Sequence, residues 1–148
     1  MEIKKQIKNA PFGAFLLWCV IVHIDIWVYM IHNIFMIEKW TFDNDDLFDL
    51  VVSGKKRATC SLYYGDNKMS KPGDINIIYN SKNEQIKIEI TDVQKRRFCD
   101  IDETWAIKEG EGDLSLSYWR NVHEKFFKNI KPDFQNTDTL ELNEFRIL

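Results

Sequence analysis

Twice between Asp74 and Val93 an apolar side chain recurs at every second position, first as Ile75, Ile77 and Tyr79 and then as Ile86, Ile88 and Ile90. Side chains along a strand point alternately to its two faces, so each set lines one face. The residues between them, Asn80-Ser81-Lys82-Asn83, are turn formers. The pattern predicts a β-hairpin. Its register is well specified, because a slip of one position would bury Lys87 and Glu89 in place of the isoleucines. A chain with such a hairpin must cover an apolar sheet face with other elements.

The flanking segments supply them. Asp43 is placed to cap a helix, with acids in its first turn, Leu47, Leu50 and Val51 as an apolar stripe, and Gly54 to end it. Arg57–Leu62 reads as a short strand and Tyr63–Pro72 as a loop. A short helix is predicted over Glu103–Glu109, then a glycine-rich turn, then a longer helix over Leu114–Asn129. Trp119, Val122, Phe126 and Ile130 form its core face, and Arg120, His123 and Phe127 a neighbouring one. Thr139–Leu148 reads as the last strand. There are no repeats, low-complexity tracts or linkers after Trp40. The expected fold is α+β: a small mixed β-barrel with helices on one side, spanning residues 38–148. With 148 residues, 45% of them hydrophobic, the chain suffices for one ordinary domain.

Residues 12–37, FGAFLLWCVIVHIDIWVYMIHNIFMI, differ in kind. They exceed the roughly 20 apolar residues that cross a bilayer as a helix, and Lys4, Lys5 and Lys8 precede them as in a signal anchor. Against a span stand His23, Asp25, His32 and Asn33, since a mid-bilayer aspartate costs about 2.5–3.5 kcal/mol. No small-residue cleavage site follows. Lysines before the segment and Glu38, Asp43, Asp45 and Asp46 after it would put the remainder outside the cytoplasm. Three readings stay open for an apolar N-terminal helix over residues 1–37: a membrane anchor, a buried docking helix, or an extension from an upstream start, with Met36 the natural one. The expected localisation is cytoplasmic, with anchorage in a membrane through residues 12–37 as the alternative.

A net charge of −3 argues against a protein that coats polyanions at large, and DNA is not an expected partner. A local basic cleft remains compatible with it. The clusters Lys55-Lys56-Arg57 and Lys95-Arg96-Arg97 read as solvated turns on pattern alone. Cys19, Cys60 and Cys99 are odd in number and lack ligand spacing, so neither a disulfide framework nor a metal site is expected. Reduced thiols in an intracellular protein fit better. No Walker loop or dinucleotide fingerprint appears, and no cofactor is expected.

Chemistry-bearing residues gather at Gly54-Lys-Lys-Arg-Ala-Thr-Cys-Ser61, where a helix gives way to a strand. Lys56 falls in the turn, and Thr59 and Ser61 share one strand face. An amine that loses its proton can act as base on a hydroxyl. Lys55 and Arg57 supply the neighbouring positive charge that favours such loss. Lysine after a helix end also complements the helix dipole, and threonine is an ordinary strand residue. Glu109 ends a short helix, where a carboxylate can carry protons or hold water, or simply face solvent.

Gly54-x-Lys56-x-x-Thr59, the Lys71-Pro-Gly-Asp74 lead into the hairpin, and WAIKEGEGDLSLSYWRNVHEKFF over Trp105–Phe127 together resemble the ASCH domain. The likeness runs in order over about Trp40 to Leu148 and leaves out residues 1 to about 35. It implies a PUA-like barrel with a cleft for RNA or nucleotides. Some small members are amidohydrolases that remove the acetyl group of N4-acetylcytidine, and their catalytic set maps by motif onto Lys56, Thr59 and Glu109. One departure is that the small amidohydrolases carry an arginine two positions after the threonine, where this chain has Ser61.

The resemblance implies three functions: an amide hydrolase acting on an acylated nucleoside, a metal-independent ribonuclease, or a non-catalytic RNA-binding module. The partners to expect are a nucleoside or single-stranded RNA. In the first, Lys56 is the base, Thr59 the nucleophile and Glu109 the proton carrier or water holder. Substrate contacts are expected from Arg57, Ser61, Tyr63, Asp113, Trp119, Arg120 and His123. Arg120 and His123 would replace the charge absent at Ser61, and Trp119 or Tyr63 would stack on a base. In the ribonuclease, Lys56, Arg120 and His123 would surround a phosphate.

Overall fold

The computed structural model describes residues 37–148, and there the hairpin forms the middle of one mixed sheet. The strands are β1 (Glu38–Trp40), β2 (Ala58–Leu62), β3 (Ile75–Tyr79), β4 (Gln85–Arg97) and β5 (Thr139–Ile147), in the spatial order β1-β3-β4-β5-β2. β1 lies parallel to β3, and every other neighbouring pair is antiparallel. β1 and β2 remain as edges, so the small mixed barrel expected is a curled half-barrel, and the α+β class holds. Three helices accompany it: α1 (Asp45–Val52), α2 (Glu103–Glu109) and α3 (Leu116–Ile130). The apolar segment preceding Ile37 lies outside the described residues. Among the described residues no helix is long and apolar enough to cross a membrane.

The hairpin forms, with one face chosen differently. Asn80 Oδ1 accepts from the N–H groups of Lys82 and Glu84, and Asn83 takes φ 62°, a left-handed conformation that asparagine tolerates. Ile78 pairs with Ile86 and Asn76 with Ile88. Thus Ile78, not Ile75, Ile77 and Tyr79, joins Ile88 and Ile90 in the core. Both alternations of β3 are largely apolar, and the buried one carries the polar Asn76 because that end of the face borders a cleft.

β5 serves two cores through its alternation. Phe145 packs with Phe48 and Val51 of α1 and with Ile78, Ile88 and Ile90. Leu140 and Leu142 pack from the other face with Ala58, Trp105, Trp119 and Phe127. Helices therefore cover both faces of the sheet, not one side.

Two helix assignments shift. Asn44, not Asp43, caps α1, accepting from Leu47 N–H, and Phe48 is buried deeper than Leu47 or Leu50. On α3 the buried line is Trp119, His123 and Phe127, while Val122 and Phe126 are half-buried and Ile130 is exposed. His123 takes a core position because its ring nitrogens find polar partners there. Lys95, Arg96 and Arg97 end a strand rather than form a turn, and each meets an aspartate: Asp66, Asp102 and Asp100 respectively.

Candidate functional site

α1 ends at Ser53, and Gly54 turns the chain at φ 72°. The N–H groups of Lys55 and Lys56 both donate to Leu50 O at 3.0 Å. Arg57 N–H then donates to Lys108 O of α2, and Phe145 N–H of β5 donates to Arg57 O, both at 2.9 Å. Main-chain bonds thus hold residues 55–57 against two other elements. Lys56 turns inward and is 2% exposed, while Lys55 and Arg57 face solvent.

α2 supplies the partner charge. Asp102 caps it through Trp105 N–H, and Trp105 Nε1 donates to Glu109 Oε1 one turn later at 2.8 Å. Gly110 ends the helix at φ 72°, and a Cβ there would collide with the Lys55 carbonyl. Only glycine permits the end of α2 to approach the Lys55-Lys56 backbone so closely. The turn carries Glu111 onto Lys56 as well.

Lys56 Nζ donates to Glu109 Oε2 at 2.8 Å and to Glu111 Oε1 at 2.6 Å, and lies 3.5 Å from the Glu109 carbonyl. The Phe42 ring stands 5.4 Å from the same nitrogen. His123 Nε2 is 3.5 Å from Glu109 Oε2, while its Nδ1 lies 2.9 Å from Trp119 O and its ring stacks on Trp119 at 4.2 Å. Burial alone would favour neutral forms. For Lys56 the Glu109 and Glu111 carboxylates outweigh burial and hold the ammonium above its ordinary pKa. Glu109 is driven far below the usual carboxylate range despite burial, chiefly by Lys56 and then by His123. His123 is raised, Glu109 outweighing burial. The Cys60 thiol is pushed well up by burial and by Glu109.

Lys56, Glu109 and Glu111 border a cleft of about 650 Å³, within the size range of small-molecule sites. Thr59 and Ser61 line it, paired across the ladder with Asn143 and Glu141, which line it too. Tyr64 and Tyr118, both exposed, also line it and offer aromatic faces to a ligand. One ligand atom each from Cys60, Glu109 and His123 lie within 4.8 Å of one another, a donor set of the kind that holds zinc. Both Glu109 oxygens already accept hydrogen bonds, so a cation there would compete with Lys56.

Residues 38–148 match the model of the ASCH domain. The chain belongs to the ASCH domain family. Among solved structures, it is similar to an ASCH domain from Lactobacillus crispatus JV V101, with 30% identity and a TM-score of 0.70 over 75% of this chain and 79% of that one. A protein from Enterococcus faecalis V583 is 26% identical, with a TM-score of 0.65 over 83% of this chain and 90% of that one. Among curated proteins there is no match.

In this ASCH domain Lys56, Thr59, Glu109, Ser61 and His123 border the cleft. The remaining residues expected at the site lie elsewhere. Arg57 is exposed outside the lining. Arg120 donates to the carbonyls of Cys99 and Ile101 and braces the turn before α2. Trp119 is 1% exposed and stacks between Phe98 and His123 in the core. Tyr63 donates its hydroxyl to Asp66 and sits under Lys95, so Tyr64 is the tyrosine that borders the cleft. Asp113 accepts from Ser115 N–H at the start of α3. Sequence reading missed Glu111, although it lies within the Trp105–Phe127 run that carries the family resemblance. It also missed Phe42 and Cys60, which carry no signal in a single sequence.

Proposed function

We propose that this ASCH domain is an amide hydrolase acting on an N-acylated nucleoside, of which N4-acetylcytidine is the type. The observation that carries the reading is a lysine amine, 2% exposed, held between two carboxylates on the wall of a cleft that Thr59 also lines. The expected cations do not lower the lysine's proton affinity, because Lys55 and Arg57 point to solvent. The two carboxylates instead hold the proton on Lys56. When a substrate displaces water from the cleft, Glu111, whose side chain is 11% exposed, loses its remaining solvation, and the neutral amine–carboxyl pair comes close to the charged one in energy. Lys56 then accepts the Thr59 proton as the hydroxyl oxygen attacks the acyl carbon. Water later hydrolyses the acyl–Thr59 ester.

Glu109 suits an anchoring part better than the proton carrier's. Trp105 occupies Oε1 and Lys56 occupies Oε2, with His123 close by, so this carboxylate fixes where the amine sits. The ribonuclease reading loses one of its three cations, since Arg120 is committed to main-chain carbonyls.

Acetate release from N4-acetylcytidine tests the proposal. Wild-type protein is expected to turn it over in EDTA without cleaving single-stranded RNA. Thr59→Ala is expected to abolish release with an unchanged melting temperature, and full activity in that variant removes the nucleophile. Salt-dependent RNA affinity with no turnover of either substrate would instead mark a binding module.

A further inference from the structure

The two carboxylates on Lys56 are not equivalent. Glu109 has a side chain 1% exposed, and both of its oxygens are engaged. Glu111 has a side chain 11% exposed, and only its Oε1 is engaged, by Lys56 at 2.6 Å. Its Oε2 accepts no hydrogen bond from any described residue, and the residue lines the cleft. Its backbone is fixed on either side. Gly110 abuts the Lys55 carbonyl, and Gly112 lies so close under the Tyr118 ring that a Cβ would strike it. The carboxylate is therefore set on a constrained turn, with one oxygen on the lysine and the other open.

We propose that Glu111 is a catalytic residue, the carboxyl group that takes the Lys56 proton and delivers it to the leaving nitrogen of the amide. The proposal rests on the amide-hydrolase reading. As substrate closes the cleft, the proton moves from Lys56 Nζ to Glu111 Oε1, leaving a neutral amine and a carboxylic acid. Thr59 attacks the acyl carbon, its proton passes to Lys56, and the carbonyl π pair moves onto oxygen. When that pair returns, the C–N bond breaks, and its electrons take the proton from Glu111. The nucleoside departs as a free amine, Glu111 is again a carboxylate, Lys56 is again ammonium, and Thr59 carries the acyl group. Charge and protons balance without a co-reactant. Glu109 stays ionised throughout and holds Lys56 in place.

Chemical rescue separates this role from that of a structural counter-ion. Acetate release from N4-acetylcytidine is measured for the full chain, Glu111→Ala and Glu109→Ala, with and without added formate, alongside thermal melts. Glu111→Ala is expected to lose on the order of 100-fold in rate, the lower range of general acid–base effects. Formate, entering the space left on the open side, should restore at least about tenfold of that. Glu109→Ala should not be rescued, because its position is closed. Glu111→Ala within a few-fold of wild type overturns the proposal, as does a folded Glu111→Ala that formate leaves inactive. If the alanine variant melts early, Glu111→Asp must be more active than Glu111→Gln, and the reverse order overturns the proposal equally. An inactive wild type removes the amide-hydrolase reading and this one together. An active wild type with Glu111 dispensable removes this one alone.

Discussion

Two of the lysine–carboxylate pairs in this fold have nearly equal distances and serve different ends. Lys95 Nζ lies 2.7 Å from Asp66, with side chains 45% and 74% exposed, on the far end of β4. Lys56 Nζ lies 2.8 Å from Glu109, with both side chains 1% exposed. Water solvates the first pair whether or not it forms, so the contact adds little. The second pair has given up its water, and each charge depends on the other for stability. Pair distance alone does not tell them apart. The difference comes from the surroundings: a helix end brought in by Gly110, the indole of Trp105, the ring of Phe42 and the imidazole of His123.

The contrast breaks most sharply at Lys56. Lys56→Met strands two carboxylates and is expected to cost about 3–5 kcal/mol, the usual loss for one partner of a buried pair. Acetate release should vanish with it. Lys56→Met with Glu109→Gln is expected to melt above the single lysine variant while staying inactive, which calorimetry and the acetate assay measure together. Recovery of stability without activity would show that the pair serves chemistry rather than the fold. Gly110→Ala comes next. A side chain there meets the Lys55 carbonyl and a left-handed backbone that costs about 1–2 kcal/mol by itself. Lower melting and lost turnover are expected together.

His123 gives a smaller, pH-dependent signature. Folding raises its pKa above the ordinary 6.5, so its pairing with Glu109 stabilises fully below that value. The contribution fades as pH climbs through the higher folded value. The melting gap between wild type and His123→Gln is expected to be wider near about pH 6 than near about pH 9. A gap that widens with pH would contradict a protonated His123. The smallest effect belongs to Lys95→Ala, which should leave both the melting temperature and turnover at wild-type levels.

The sequence made α2 legible to the residue, because Asp102 and Gly110 bracket it with side-chain and glycine caps. The inward set of β4 was equally plain, since only one alternation there is apolar. β3 was ambiguous for the opposite reason: Ile75, Ile77, Ile78 and Tyr79 put apolar groups on both faces, and tertiary packing chose between them. On α3 a histidine displaced the more apolar line, which pattern alone disfavours and partners elsewhere in the chain make possible. Lys56, Thr59 and Glu109 were singled out through the family motif. That Lys56 and Glu109 touch is a property of the fold, spanning 53 positions along the chain. Glu111 was hidden because a carboxylate between two glycines looks like any solvated turn until the lysine opposite is in view.

Gly110 has a consequence for how such a protein diverges. With two stretches of main chain in contact there, the backbone holds the roots of the lysine and of both glutamates close together. Of the tyrosines at the mouth, Tyr64 bears no such constraint, whereas Tyr118 packs on Gly112. Selection on what enters can rework the rim while the charges beneath keep their positions, so admission and reactivity evolve at separate depths of one hole.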